Sequence, residues 1–150
     1  MITIGIPTWN RKRELLSLLS EIINQLYDDK GLIENIEVFI SDNNSSDGTS
    51  IEVHKFISKN NLINIIYHQH SENIGFDRNV DSIFKNSNGD FVWILSDDDG
   101  MELGAIRKVF NHIKRLKNNC EVIFLNFNAY DFKLENLIDE TNVEIFKNIT

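Results

Sequence analysis

Cysteine occurs once in this chain, at Cys120, so no disulfide framework can form and a reducing compartment is implied. Cys120 itself reads as a small buried hydrophobe beside a strand. No apolar run approaches the ~18 residues of a membrane-spanning helix. The opening "MITIGIPTWN" turns polar too early for a secretory signal. These absences point to a cytoplasmic protein and leave peripheral attachment at the inner face of a membrane open. Basic residues are outnumbered: 15 Lys and Arg against 23 Asp and Glu give a formal net charge of -8. A mainly electrostatic nucleic-acid binder shows a basic face, so that class is excluded. Internal repeats and Pro/Gly-rich linkers are missing too. The frequent Asn, Lys and Ile are a compositional bias and carry little functional weight.

What is present suffices for one folded domain. The 150 residues are 41% hydrophobic and 25% charged, the balance of a soluble globular chain with a real core. Short apolar runs alternate with helical periodicity. Strands are expected at residues 2–6 ("ITIGI", closed by Pro7), 36–41, 63–68, 90–95 and 121–127. Between them lie helical patterns at 11–27 and, more weakly, 49–60. A third is the stripe of Phe76, Val80, Ile83 and Phe84. The clearest is amphipathic, with Leu103, Ile106, Phe110, Ile113 and Leu116. Past Asn128 the pattern fades. The fold class is therefore α/β, a mostly parallel sheet with helices on both faces.

Right-handed crossovers put every strand-to-helix loop at one edge of such a sheet. Those loops read "PTWNR", "DNNSSDGT", "HSENIGFDRN" and "SDDDG". Ligands of open α/β sheets sit at that edge. The first loop lacks the G-x-G-x-x-G of dinucleotide binders, and G-x-x-x-x-G-K-[ST] is absent from the chain. The remaining donors are carboxylates, small polar groups and a few arginines. Asp97, Asp98 and Asp99 stand in a row and repel one another, which calls for a counter-charge. Hard oxygen ligands of this kind suit Mg²⁺ or Mn²⁺ bridging to a diphosphate.

The segments "IGIPTWNR", "EVFISDNNSSDGT", "SENIGFDRN" and "GDFVWILSDDD", in this order and spacing, resemble family 2 glycosyltransferases of the GT-A fold. The resemblance covers about residues 2–127 and is nearest to abequosyltransferase-like enzymes of bacterial surface polysaccharide synthesis. It implies a Rossmann-like nucleotide-sugar-binding domain at 1–127. Residues 128–150 would be the incomplete start of an acceptor and catalytic half, which makes the chain read as truncated. It also implies inverting transfer of a sugar from a nucleotide-diphosphate-sugar donor to a glycan or lipid-linked acceptor.

By that resemblance Pro7, Thr8, Asn10 and Arg11 line the nucleotide pocket, and Asp42 hydrogen-bonds the base. Arg78 passes for part of an A-R-N element that contacts phosphate or base, although its spacing to Gly89 departs from the family's. Asp97 to Asp99 match the D-x-D region. Strand alternation alone would pair Asp97 with Asp99. Alignment from Gly89 instead puts Asp98 on the metal-binding aspartate, with Asp99 beside it, and Asp97 near the ribose. The metal implied is Mg²⁺ or Mn²⁺. The family's general base belongs to a later element, and none of Asp131, Glu135, Asp139, Glu140 and Glu144 sits in a matching motif.

Blander readings compete. Asp98 and Asp99 could cap the helix near Leu103. Asp47 suits a helix N-cap, and Ser45 and Gly48 suit the turn. His68 and His70 read as surface polar groups, since H-x-H without a third ligand is a weak metal signal. Trp93 reads as core, while Trp9 fits the base pocket or the core edge equally. A sugar nucleotidyltransferase is the enzymatic alternative, although "PTWNR" lacks the glycine-rich loop it needs. A sugar-nucleotide-binding module without catalysis is the other. A receiver-like domain needs a lysine after strand five, which "NFNAYDF" does not supply. Apolar surface left uncovered would favour self-association into a homo-oligomer.

Overall fold

A computed structural model describes residues 1–116 and, beyond them, the backbone of four short strands. Two compact units are present, Met1–Lys108 and Val109–Thr150. In the first, β1 (Ile2–Thr8), β2 (Ile36–Asp42), β3 (Asn64–Gln69) and β4 (Phe91–Ile94) form one parallel sheet in the order β3-β2-β1-β4. Helices α1 (Lys12–Asp28), the single turn α2 (Lys30–Ile33), α3 (Thr49–Lys59) and α4 (Phe76–Asn86) connect them. Helix α5 (Ala105–Leu116) follows β4. The expected α/β architecture is found.

β1 and β2 are buried at every position, whereas the outer strands β3 and β4 are partly exposed. Trp93 is accordingly only half-buried, not core, because β4 is an edge strand of this sheet. Alternation divides the central strands into two faces. Ile4, Ile6, Val38 and Ile40 are fully buried, as are Leu15, Leu19 and Ile22 of α1. On the other face Gly5 leaves room for α4: a Cβ there would collide with Ile83. In register with Gly5 lies Phe39, flanked by Glu37 and Ser41 on the same face.

The α4 stripe differs from the periodic expectation. Asn79, Ser82 and Ile83 are the buried positions, while Phe76 and Phe84 are 69% and 55% exposed. The reason is polar. Asn79 Nδ2 donates to the Ser41 carbonyl at 3.0 Å, and the Ser41 hydroxyl donates to Asn79 Oδ1 at 2.7 Å. That pair turns the helix so that its phenylalanines face outward. Leu103 is also exposed, since α5 begins two residues later at Ala105.

Of the expected strand over 121–127, the described part, residues 122–123, is a strand. Val122–Ile123 (β5) pairs antiparallel with Ile145–Phe146 (β8), and Asn128–Tyr130 (β6) pairs antiparallel with Leu137–Glu140 (β7). Among the described residues each pair forms a two-stranded sheet of its own. Cys120, residues 124–127 and the side chains of the five late acids lie outside the described residues.

Candidate nucleotide-diphosphate site

The strand order places the site. Successive crossovers run from β1 to β2 to β3, then the chain returns past β1 to β4. The direction reverses between β1 and β4, the topological switch point at whose carboxyl edge open α/β sheets bind ligands. Thr8 ends β1 there, and the "SDDDG" loop leaves β4 there. The Thr8 hydroxyl donates to Asp97 Oδ2 at 2.7 Å, joining the two strand ends.

Beyond Ile94 the chain stops pleating and closes a turn. The Asp99 amide donates to the Ser96 carbonyl at 3.1 Å, and the Ser96 amide to Asp99 Oδ2 at 2.8 Å. The turn sends the three aspartates different ways. Asp97 points inward and is buried, whereas Asp98 and Asp99 are exposed. The Ser96 hydroxyl donates to Asp98 Oδ1 at 2.5 Å. Arg11 Nη1 reaches Asp97 Oδ1 at 3.3 Å and also pairs with Asp98 Oδ2. Asp98 and Asp99 therefore serve this turn and its arginine and do not cap α5.

Their acidities diverge accordingly. Burial pushes Asp97 above the usual carboxylate value against the pull of Thr8 and Arg11. Asp99 is raised too: the residue as a whole is exposed, but the turn partly desolvates its carboxyl, and the Asp98 charge adds to this against the pull of the Ser96 amide. Asp98 is lowered, first by the Ser96 hydroxyl and then by Arg11. Arg11 is held above its ordinary value, chiefly by its bond to Asp98.

The first two loops are laced together. Asn10 adopts a left-handed backbone (φ 53), which asparagine tolerates. Its amide donates to Ser45 Oγ and its Oδ1 accepts from the Ser46 amide, both at 2.8 Å. Asp47 accepts the amides of Lys12 at 3.0 Å and of Thr49 at 3.1 Å, so one carboxylate serves the starts of α1 and α3. Burial would raise Asp47, but the bonds from Thr49 and Lys12 prevail and lower it. Gly48 is the N-cap of α3, in the left-handed region at φ 87. Asn43 fastens the third loop: its Oδ1 accepts from the Ile74 amide at 2.8 Å, and its Nδ2 donates to Asn73 at 2.9 Å.

Asp42 ends β2 opposite Thr8 and is 0% exposed. One oxygen accepts the Ser45 amide at 2.8 Å, and the other accepts the Tyr67 hydroxyl. Burial, with that bond second, pushes Tyr67 well above the ordinary tyrosine range. Pro7 is buried at the end of β1, while Trp9 is 52% exposed and fills no core edge. Arg78 is exposed on α4, and the ion pairs at Asp97 and Asp98 come from Arg11 instead.

Sequence reasoning missed Ser96, Tyr67 and the Ser41–Asn79–His70 group. His70 Nε2 lies 3.2 Å from Ser41 Oγ. The single hydroxyl proton of Ser41 goes to Asn79, so His70 must donate here through Nε2–H. Its pKa is lowered by burial first and by His68 second. The H-x-H spacing was the available signal, but the two rings stack edge-on at 4.7 Å.

Divalent-metal fit follows from donor chemistry. Among the described residues no group of three or more His, Cys, Asp or Glu encloses a cation position. Mg²⁺ uses one or two carboxylates, with substrate phosphates and water completing its shell. The two exposed carboxylates Asp98 and Asp99 fit that pattern. Among the described residues no helix is long and apolar enough to cross a membrane.

Comparison with known proteins adds four findings. The family model described as Glycosyl transferase family 2 matches residues 3–145. The abequosyltransferase RfbV of Salmonella typhimurium is 41% identical over 101 residues, which are 67% of this chain and 29% of that protein. TarS of S. aureus, solved with UDP-GlcNAc, superposes with a TM-score of 0.66 at 23% identity, over 76% of this chain and 31% of that one. The mannosyltransferase PcManGT of Pyrobaculum calidifontis, solved with GDP-Man and Mn²⁺, gives 0.67 at 21% identity, over 79% of this chain and 33% of that one. The chain spans between 29% and 41% of the length of the curated relatives it matches.

Proposed function

Because the chain belongs to glycosyl transferase family 2, we propose that it binds a nucleotide-diphosphate sugar and forms the donor half of a sugar transferase. The acceptor is a glycan or a lipid-linked saccharide in surface polysaccharide synthesis. The observation that carries this reading is the Thr8–Asp97 bond at the switch point, beside a cluster of exposed carboxylates and one arginine. RfbV, by its name an abequosyltransferase, supports the chemistry, and the two ligand-bound neighbours share the fold.

The residues divide the work. Asn10 and its bonds to Ser45 and Ser46 shape the rim over which the base and ribose lie. Pro7 and Thr8 form the floor, with Asp97 beneath the ribose. Asp42 fixes that rim by holding the Ser45 amide and the Tyr67 hydroxyl, and it is the acceptor nearest the base side of the pocket on this reading. Arg11 and Arg78 are cations for the phosphates. Asp98 and Asp99 are the carboxylates that would hold Mg²⁺ or Mn²⁺, which when bound stabilises charge on the departing nucleotide diphosphate. Inverting transfer also requires a base at the acceptor hydroxyl. No described residue is assigned that role.

The test is a thermal-shift panel of UDP-, GDP-, CDP- and dTDP-sugars with and without Mn²⁺. One nucleotide should stabilise the protein, by about 2.7 kcal/mol at a hundred times its Kd. No shift from any of the four, with metal present, contradicts the reading.

A further inference from the structure

Three adjacent carboxylates need a counter-charge, and this protein carries one of its own. Arg11 reaches Asp97 and Asp98 through the same terminal nitrogen. The other oxygens of those two acids accept the hydroxyls of Thr8 and Ser96. Each of the four oxygens therefore already has a donor. A cation joining Asp98 Oδ2 would lie within ~4 Å of the guanidinium, where like charges repel strongly. The guanidinium has room to move once a second anion competes for it. It stands at the N-cap of α1, outside the helix, and its side chain is 49% exposed.

We propose that Arg11 is a built-in counter-cation that keeps Asp98 closed to divalent metal until a nucleoside diphosphate draws the guanidinium onto its phosphates. The identity of that anion rests on the donor-binding reading above, whereas the competition between Arg11 and a metal at Asp98 does not. Two consequences follow. Metal alone binds weakly, and metal and nucleotide strengthen each other reciprocally. A site wired this way would load its cation together with the donor and not before it.

The experiment titrates Mn²⁺ alone, read by the electron-spin resonance of the free ion, into four proteins. These are the wild type, Arg11→Gln, Arg11→Lys and the double variant Arg11→Gln with Asp98→Asn. Arg11→Gln should bind Mn²⁺ at least about tenfold more tightly than wild type. Arg11→Lys keeps the charge and should stay weak, which separates charge from folding defects. Adding Asp98→Asn should erase the gain. Equal or weaker binding by Arg11→Gln, or a gain that survives Asp98→Asn, overturns the proposal. The titration is then repeated with UDP, GDP, CDP and dTDP. One of them should tighten Mn²⁺ binding in wild type and much less in Arg11→Gln. If the metal-only series behaves as expected and no nucleotide alters it, the donor reading and the trigger fall while the counter-cation role stands.

Discussion

Glu37 lies fully buried at the end of the sheet opposite the site, yet it holds the β4 entrance in place. It accepts the Thr3 hydroxyl at 2.8 Å, the Asn88 amide at 3.0 Å, the Asn88 side chain at 2.7 Å and the Asn64 side chain at 3.4 Å. Burial alone would raise its pKa, but these donors outweigh it and hold the carboxyl below the ordinary 4.5. The unfolded chain then binds the proton more tightly. The contribution is present above pH 4.5 and is lost as pH falls through the lowered value. Glu37→Gln should cost roughly 1–3 kcal/mol at pH 7, because its amide N–H₂ would face donors. It should also flatten the acid limb of a melting-temperature profile, and an unchanged limb would contradict the assignment. Asp97 is the reverse case, since its raised pKa costs stability as pH rises through and above the ordinary 3.8. Asp97→Asn should melt no lower than wild type at neutral pH while weakening nucleotide binding, measured by paired melts and calorimetry. At this scale the aspartate run was legible as a candidate site. Its internal geometry was not, because a turn set by Ser96 replaces strand alternation there.

Element by element, helix α4 shows where periodicity stops short. The pattern located the helix but set its phenylalanines on one apolar stripe with Ile83, of which only Ile83 is buried. Hydrophobic spacing is blind to a buried asparagine, and here Asn79 with Ser41 decides the helix rotation. Gly5 completes the fit by admitting Ile83. Ile83→Ala should therefore destabilise by roughly 2–5 kcal/mol. Phe84→Ser should stay within about 0.5 kcal/mol, as an exposed substitution does. Chemical denaturation of both variants checks this, and the opposite ranking would mean the helix is rotated. The loop before β4 is equally constrained. A Cβ on Gly89 would stand 2.5 Å from the Thr3 amide nitrogen and 2.8 Å from the Phe91 carbonyl. Gly89→Ala should displace the β4 entrance and lower the melting temperature, although Gly89 touches no site residue.

For the whole molecule, the four parallel strands and the edge bearing the candidate site were readable from alternation and crossover handedness alone. The order β3-β2-β1-β4 was not, because no local pattern tells β4 to return beside β1. That return brings Thr8, Arg11 and Asp97 together from positions 86 and 89 residues apart. The fifth strand was located but not paired, for a related reason: an apolar run announces a strand and not its partner, and its described residues pair antiparallel with β8. On the proposed reading this edge binds a nucleoside diphosphate through a metal held at Asp98. Calorimetry of the best nucleotide from the thermal panel, run on wild type and Asp98→Asn in Mn²⁺ and in chelator, tests it most directly. Wild type should bind at least about tenfold more tightly with Mn²⁺, and Asp98→Asn should lose most of that difference while remaining folded. Equal metal dependence in both proteins would contradict the account.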